Sequence, residues 1–100
     1  MKTIQLRRYA MNPGMMQDFE SFWSTKVVPL RKQHGFTVEF AYRSTDESEF
    51  IWGVSLPGDE QEFLRVQEKY NNSPERALVF KDAPDWIRNI DLQFVQEPGF

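Results

Sequence analysis

An α+β domain, with elements in the order strand, helix, strand, strand, helix, strand, is predicted by three features of the sequence. Four short stretches alternate apolar and polar residues, the period of a strand with one buried face. Two longer stretches repeat apolar residues every three or four positions, the period of an amphipathic helix. The 100 residues, 40% hydrophobic and 15% aromatic, supply one core and no second, so residues 1–100 read as one domain.

Residues 3–9 form the first strand, with Ile4 and Leu6 directed to the core and Gln5, Arg7 and Tyr9 to the opposite face. Asn12-Pro13-Gly14 opens a helix, Asn12 capping free N–H groups and Pro13 sitting where no N–H is needed. Met15, Phe19, Phe22, Trp23, Val27 and Leu30 make its apolar stripe. Pro29 is expected to kink or end it near Val28, and Gly35 offers a left-handed stop. A hairpin follows, with Phe36, Val38, Phe40 and Tyr42 set against Leu56, Val54, Trp52 and Phe50. That register puts Arg43 across from Glu49 and Gly53 across from Glu39. Gly53 then marks either a close approach or an accident. Asp59 with Glu62 resembles a capping box before a second helix whose apolar face is Phe63, Val66 and Tyr70, ended by Asn71-Asn72. Ser73-Pro74-Glu75 starts a short extra helix burying Ala77, Leu78 and Phe80. Ile90, Leu92 and Phe94 mark the core side of the last strand. Two right-handed strand–helix–strand crossovers give the ferredoxin-like βαββαβ arrangement: a four-stranded antiparallel sheet with helices on one face.

Composition narrows the function classes. Twelve Lys and Arg against 15 Asp and Glu leave a net charge of −3, which disfavours nucleic acid and anionic membranes as partners. No apolar run reaches the length of a membrane span, and no leader pattern opens the chain, so the expected location is cytoplasmic. Without cysteine there is no disulfide, thiolate metal site or thiol nucleophile, and no metal or cofactor is expected.

The helix-free face of the sheet is the candidate site. Arg7, Tyr9, Glu39, Arg43 and Asp91 would all project from it. They read either as an anion-binding cleft, with Tyr9 as hydrogen-bond donor and Glu39 or Asp91 as base, or as cross-strand ion pairs. His34, the one histidine, is either a proton shuttle or haem or metal ligand, or a cationic cap on the first helix. Trp23 and Trp52 fit the core by period, and Trp86 suits a rim or interface. Met11, Met15 and Met16 read as core fillers.

The order of Ile4-Gln5-Leu6-Arg7-Arg8-Tyr9, Asn12-Pro13-Gly14, Phe19 to Trp23, Val27-Val28-Pro29-Leu30, Gly35-Phe36, Ile51-Trp52, Tyr70, Ser73-Pro74-Glu75-Arg76 and Ile90-Asp91 resembles a NIPSNAP-type domain of the dimeric α/β-barrel superfamily. The resemblance covers nearly the whole chain, and Gln5 stands where that pattern commonly has Glu. It implies a homodimer pairing sheet against sheet as a dimeric α/β barrel around a polar cleft. It implies no reaction, because NIPSNAP-type domains have no settled activity, and relatives on the fold include cofactor-free monooxygenases, haem-degrading enzymes and simple binders. The expectation is a small dimeric ligand-binding protein of unassigned biochemistry. The alternative is a cofactor-independent monooxygenase- or isomerase-like enzyme acting on a small aromatic or acidic metabolite.

Overall fold

The computed structural model describes residues 1–99. Strands β1 (Lys2–Met11), β2 (Thr37–Arg43), β3 (Glu49–Pro57) and β4 (Ile87–Val95) form one antiparallel sheet in the order β2-β3-β1-β4. This is the expected βαββαβ order, with the helices on one face. The expected barrel is not formed. β2 and β4 are unjoined edges, and four strands are too few to close around a filled interior.

The face that β1 turns to the helices is the reverse of the sequence expectation. Arg7 pairs with Trp52, Tyr9 with Phe50 and Gln5 with Val54, and these β3 residues are all core. Gln5, Arg7 and Tyr9 are therefore buried beneath the helices, whereas Ile4 and Leu6 share the open face with Ser55 and Gly53. Alternation alone could not fix the phase, because each set in β1 mixes apolar and polar residues. The packing of Tyr9 edge-on to Phe19 and Trp52, with Met11 beside them in the core, decides it.

The hairpin begins in the expected register, with Val38 opposite Val54, and then slips. A bulge at Glu39 sets Phe40 against Gly53, Tyr42 against Ile51 and Arg43 against Phe50, so Phe40 and Tyr42 turn to the open face. Gly53 marks a close approach: a Cβ there would run into the Phe40 ring. Arg43, on the helix side, pairs with Glu20 at 2.6 Å, and Glu49 pairs with Arg8 at 3.2 Å.

The first helix starts later than Asn12-Pro13-Gly14 suggests. Those residues form a turn in which the Asn12 amide donates to the Asp85 carbonyl, and α1 spans Met16–Phe22. It does not end before Pro29. It widens into a π-helical segment, Trp23–Val27, where the Val28 N–H reaches back five residues to the Trp23 carbonyl, and then continues as α2, Val28–Gln33. A proline inside a helix has no N–H and crowds the carbonyl four residues earlier; the wide turn absorbs both effects. Gly35, at φ 92°, ends α2 as expected.

Helix α3 (Glu60–Asn71) is capped by Asp59, which accepts from the Glu62 N–H, and α4 (Pro74–Phe80) by Ser73, which accepts from the Arg76 N–H. Both caps are where the sequence puts them. The core beneath them runs from Phe63 and Tyr70 through Phe36, Trp52 and Phe19 to Trp86. Trp86 is thus a core residue packed on Phe19 and Phe22, not a rim residue. α4 covers less than expected: Leu78 is 74% exposed and Ala77 is exposed, leaving Phe80 and Val79 against the core. Ile90 and Leu92 of β4 point to the helix side but stay about half exposed, at 50% and 46%.

Candidate functional site

The thin cover over β4 leaves a cavity of about 90 Å³ between helices and sheet. Its wall has two chemical halves. One is cationic and aromatic: Arg7, Arg31, Arg76, Tyr9, Trp23, Trp52 and Tyr70. The other is apolar: Phe19, Val27, Phe80, Ile87 and Ile90.

Each part of the wall is placed by a local cause. The burial of β1 beneath the helices brings Arg7 and Tyr9 inward. The π-helical turn brings in Trp23, Val27 and Arg31, four and eight residues apart. In a regular helix, positions eight apart drift by about 80° around the axis; the wider turn reduces that drift. Tyr70 and Arg76 come from either side of the α3–α4 junction, which Ser73 holds by donating to the Tyr70 carbonyl at 2.8 Å. The exposed Ile90 marks where the cavity meets solvent.

Guanidinium groups and rings alternate through the site. Arg7 and Arg31 both lie over Trp52, at 5.6 and 5.5 Å from the ring centroid. Arg31 lies 4.1 Å over Tyr70, with Arg76 at 5.7 Å from the same ring. Arg7 donates to the Tyr9 hydroxyl at 2.8 Å and the Gln5 amide oxygen at 2.7 Å, and Arg31 donates to the Gln67 amide oxygen at 2.6 Å. All three acceptors are neutral. Among the described residues, no carboxylate pairs with any of these arginines. Arg31 is 3% exposed, and burial, followed by the Arg7 charge, pulls its pKa down to about 10.

Four buried donors find no hydrogen-bond partner among the described residues: the Nε atoms of Arg31 and Arg76 and the indole Nε1 atoms of Trp23 and Trp52. Every one of these residues lines the cavity. Buried donors are nearly always satisfied, so four such donors on residues lining one small cavity single it out as the candidate site.

The six residues singled out in the sequence are not brought together. Arg7 and Tyr9 belong to the cavity. Glu39 stands at the β2 bulge, accepting from Ser55 Oγ at 2.6 Å and Lys2 Nζ at 3.0 Å; these bonds, Ser55 first, hold its carboxyl below the usual range. Arg43 bridges β2 to α1 through Glu20, a pairing that raises its pKa. Asp91 lies exposed on the open face, across from Arg8. His34 is the C-cap of α2, with Nε2 3.5 Å from Glu75 and its ring edge-on to Tyr70, which ties α2 to α4. Among the described residues no three His, Cys, Asp or Glu side chains cluster as metal ligands. No described helix is long and apolar enough to cross a membrane.

Arg31, Arg76 and Tyr70 escaped sequence reasoning as site residues, whereas Trp23 and Trp52, placed in the core by their period, line the cavity from there. Arg31 carried a signal: it follows Val27 by four and Trp23 by eight, so the stripe that buries those residues buries a cation too. Arg76 carried none beyond its place in the first turn after Ser73-Pro74.

No family model matches the chain, and no curated protein matches it in sequence. Solved structures do match in shape. An uncharacterized NIPSNAP domain protein from Burkholderia xenovorans superposes with a TM-score of 0.83 at 11% identity, covering 100% of this chain and 97% of the other. A NIPSNAP family protein of unknown function from Agrobacterium tumefaciens gives 0.85 at 11%, covering 99% and 90%. A putative antibiotic biosynthesis monooxygenase from Bacteroides thetaiotaomicron gives 0.71 at 10%, covering 99% and 93%. At these identities the likeness establishes one thing: the chain has the fold of NIPSNAP-family structures.

Proposed function

We propose that this chain is a NIPSNAP-like binding module that holds a small ligand in the cavity between its helices and sheet. The observation that carries this reading is that the four residues with buried, unpartnered donors all line one cavity. The described lining offers guanidinium, indole and phenol groups beside apolar surface, a set suited to holding a ligand, and Tyr9 and Tyr70 are its groups able to exchange a proton. Thermal denaturation against a panel of small polar compounds tests the reading. A ligand that binds only the folded chain raises the midpoint, by mass action worth about 2.7 kcal/mol at 100 times its dissociation constant. A midpoint that no compound moves contradicts it.

The partner of the open sheet face is a second copy of the chain. Leu6, Phe40, Tyr42, Ile51 and Val95 share that face, and Tyr42 is 67% exposed. One face of an antiparallel sheet is left polar when it meets water; this one carries an apolar centre. Arg8, Glu49 and Asp91 lie on the same face, charges of both signs that suit a two-fold, self-complementary contact. Light scattering at twice the chain mass of 11.9 kDa is the expected result, and a mass equal to one chain contradicts it.

A further inference from the structure

Resting on the binding reading above, the geometry points to a ligand class. We propose that the cavity takes the carboxylate of a small organic acid, its oxygens accepting from Arg31, Arg76 and the indole N–H groups of Trp23 and Trp52, with a short apolar tail directed toward Ile87 and Ile90.

The charge comes first. Three guanidiniums line one cavity with no carboxylate paired to any of them among the described residues. A buried cation is costly unless a counter-charge meets it, and a neutral ligand supplies none. Arg31 is 97% buried on the 3% exposure of its side chain and backbone together, and still has an unpartnered Nε. A planar carboxylate suits this donor set, since guanidinium and indole N–H groups both bond its in-plane oxygen lone pairs.

Size and wall chemistry then separate a carboxylate from other anions. About 90 Å³ is the liquid volume of roughly three water molecules, so the enclosed part of the ligand is a handful of heavy atoms. A tetrahedral dianion such as phosphate exposes oxygens on every side and needs donors on every side. Here Phe19, Val27, Phe80, Ile87 and Ile90 offer none. They suit methylene groups, and Ile90, half exposed, gives a longer tail a way out.

The test is a titration of the full chain, reading the indole N–H resonances by NMR, with sodium chloride holding ionic strength constant. The probes are sodium acetate, sodium butyrate, sodium phosphate and neutral acetamide. Trp86 lies outside the cavity lining and serves as internal control. Saturable shifts of the Trp23 and Trp52 signals with acetate are expected, with Trp86 unmoved. Butyrate should bind more tightly by about fourfold per added methylene. Arg31→Met should lose at least tenfold in affinity, and the part-exposed Arg76→Gln supplies a second variant should the first fail to fold. Acetamide binding as well as acetate would overturn the anion assignment and leave the small-ligand reading standing. Phosphate matching butyrate would overturn the carboxylate assignment alone. Silence of both indoles toward every probe would overturn both readings, and unchanged affinity in both arginine variants would remove the proposed headgroup site.

Discussion

Arg31 is nearly sealed from solvent, yet its hydrogen-bond acceptor is a neutral amide and its other close neighbours are rings. Burial pulls its pKa down to about 10, so folding disfavours the charged form by about 3 kcal/mol. Above pH 10 the unfolded chain keeps a proton that the folded chain has lost, so this group's contribution to stability rises with pH there; below pH 10 the whole penalty is present. Stacking on Phe36 and Tyr70 offsets part of it, at about 2 kcal/mol for a desolvated cation–π contact. Arg31→Met removes penalty and stacking together. Its unfolding free energy in urea should stay within about 1 kcal/mol of the parent, as seen when buried charges give way to apolar residues of similar size. A loss above about 3 kcal/mol would make Arg31 a structural residue instead. Gly53 is the opposite case, structural throughout. Gly53→Ala drives a methyl group into the Phe40 ring and should cost about 1–3 kcal/mol, a cost that Phe40→Ala in the same chain removes. At this scale the sequence was half legible. Arg7 and Tyr9 stood out as polar residues in a strand, but which face they served depended on packing that alternation does not encode.

Elements were more readable where their signal was local. The caps Asp59 and Ser73 and the stop at Gly35 all follow from residues next to one another in the chain. The departures have non-local or competing causes. The bulge at Glu39 is tied to Phe40 lying over Gly53 on the neighbouring strand, and the helix survives Pro29 by widening over the preceding turn. That widening aligns Trp23, Val27 and Arg31 on the cavity. Pro29→Ala restores the missing N–H and removes the crowding, so the helix is expected to regularise. Stability should hold or rise, and the response of the Trp23 indole to acetate should weaken; an unchanged response would separate the wide turn from the site. The β2–β3 turn offers a pH test. Asp46 accepts from Ser48 Oγ, Ser44 Oγ and the Ser48 N–H, bonds that hold its pKa at about 2 against an ordinary 3.8. Its stabilising effect is complete above pH 3.8 and disappears as pH falls toward 2. The thermal midpoint of Asp46→Ala should therefore change less than that of the parent between pH 4 and 2; parallel profiles would contradict the turn's role.

For the whole molecule, element order and hydrophobic period were enough to give the βαββαβ sheet with helices on one face. They were not enough to say what each face does. With β1 in the observed phase and the β2 bulge in place, Gln5, Arg7 and Tyr9 lie beneath the helices, Phe40 and Tyr42 turn outside, and Asp91 stays on the open face as expected. The cationic site is thus internal to one chain, and the outer sheet surface carries an apolar centre, the surface proposed above to meet a second copy. Ile51→Glu puts charge at the centre of that surface while leaving the cavity wall untouched. It should halve the mass seen by light scattering without altering the acetate titration. Loss of both together would show that the cavity depends on the partner.

That the cavity holds an acid is tested by anomalous scattering from a crystal soaked in 3-bromopropionate. The bromine is expected inside the chain beside Ile87 and Ile90, with carboxylate oxygens within hydrogen-bonding distance of Arg31 and the Trp23 and Trp52 indoles. Bromine found only on the outer surface, with those donors still unpaired, would contradict it.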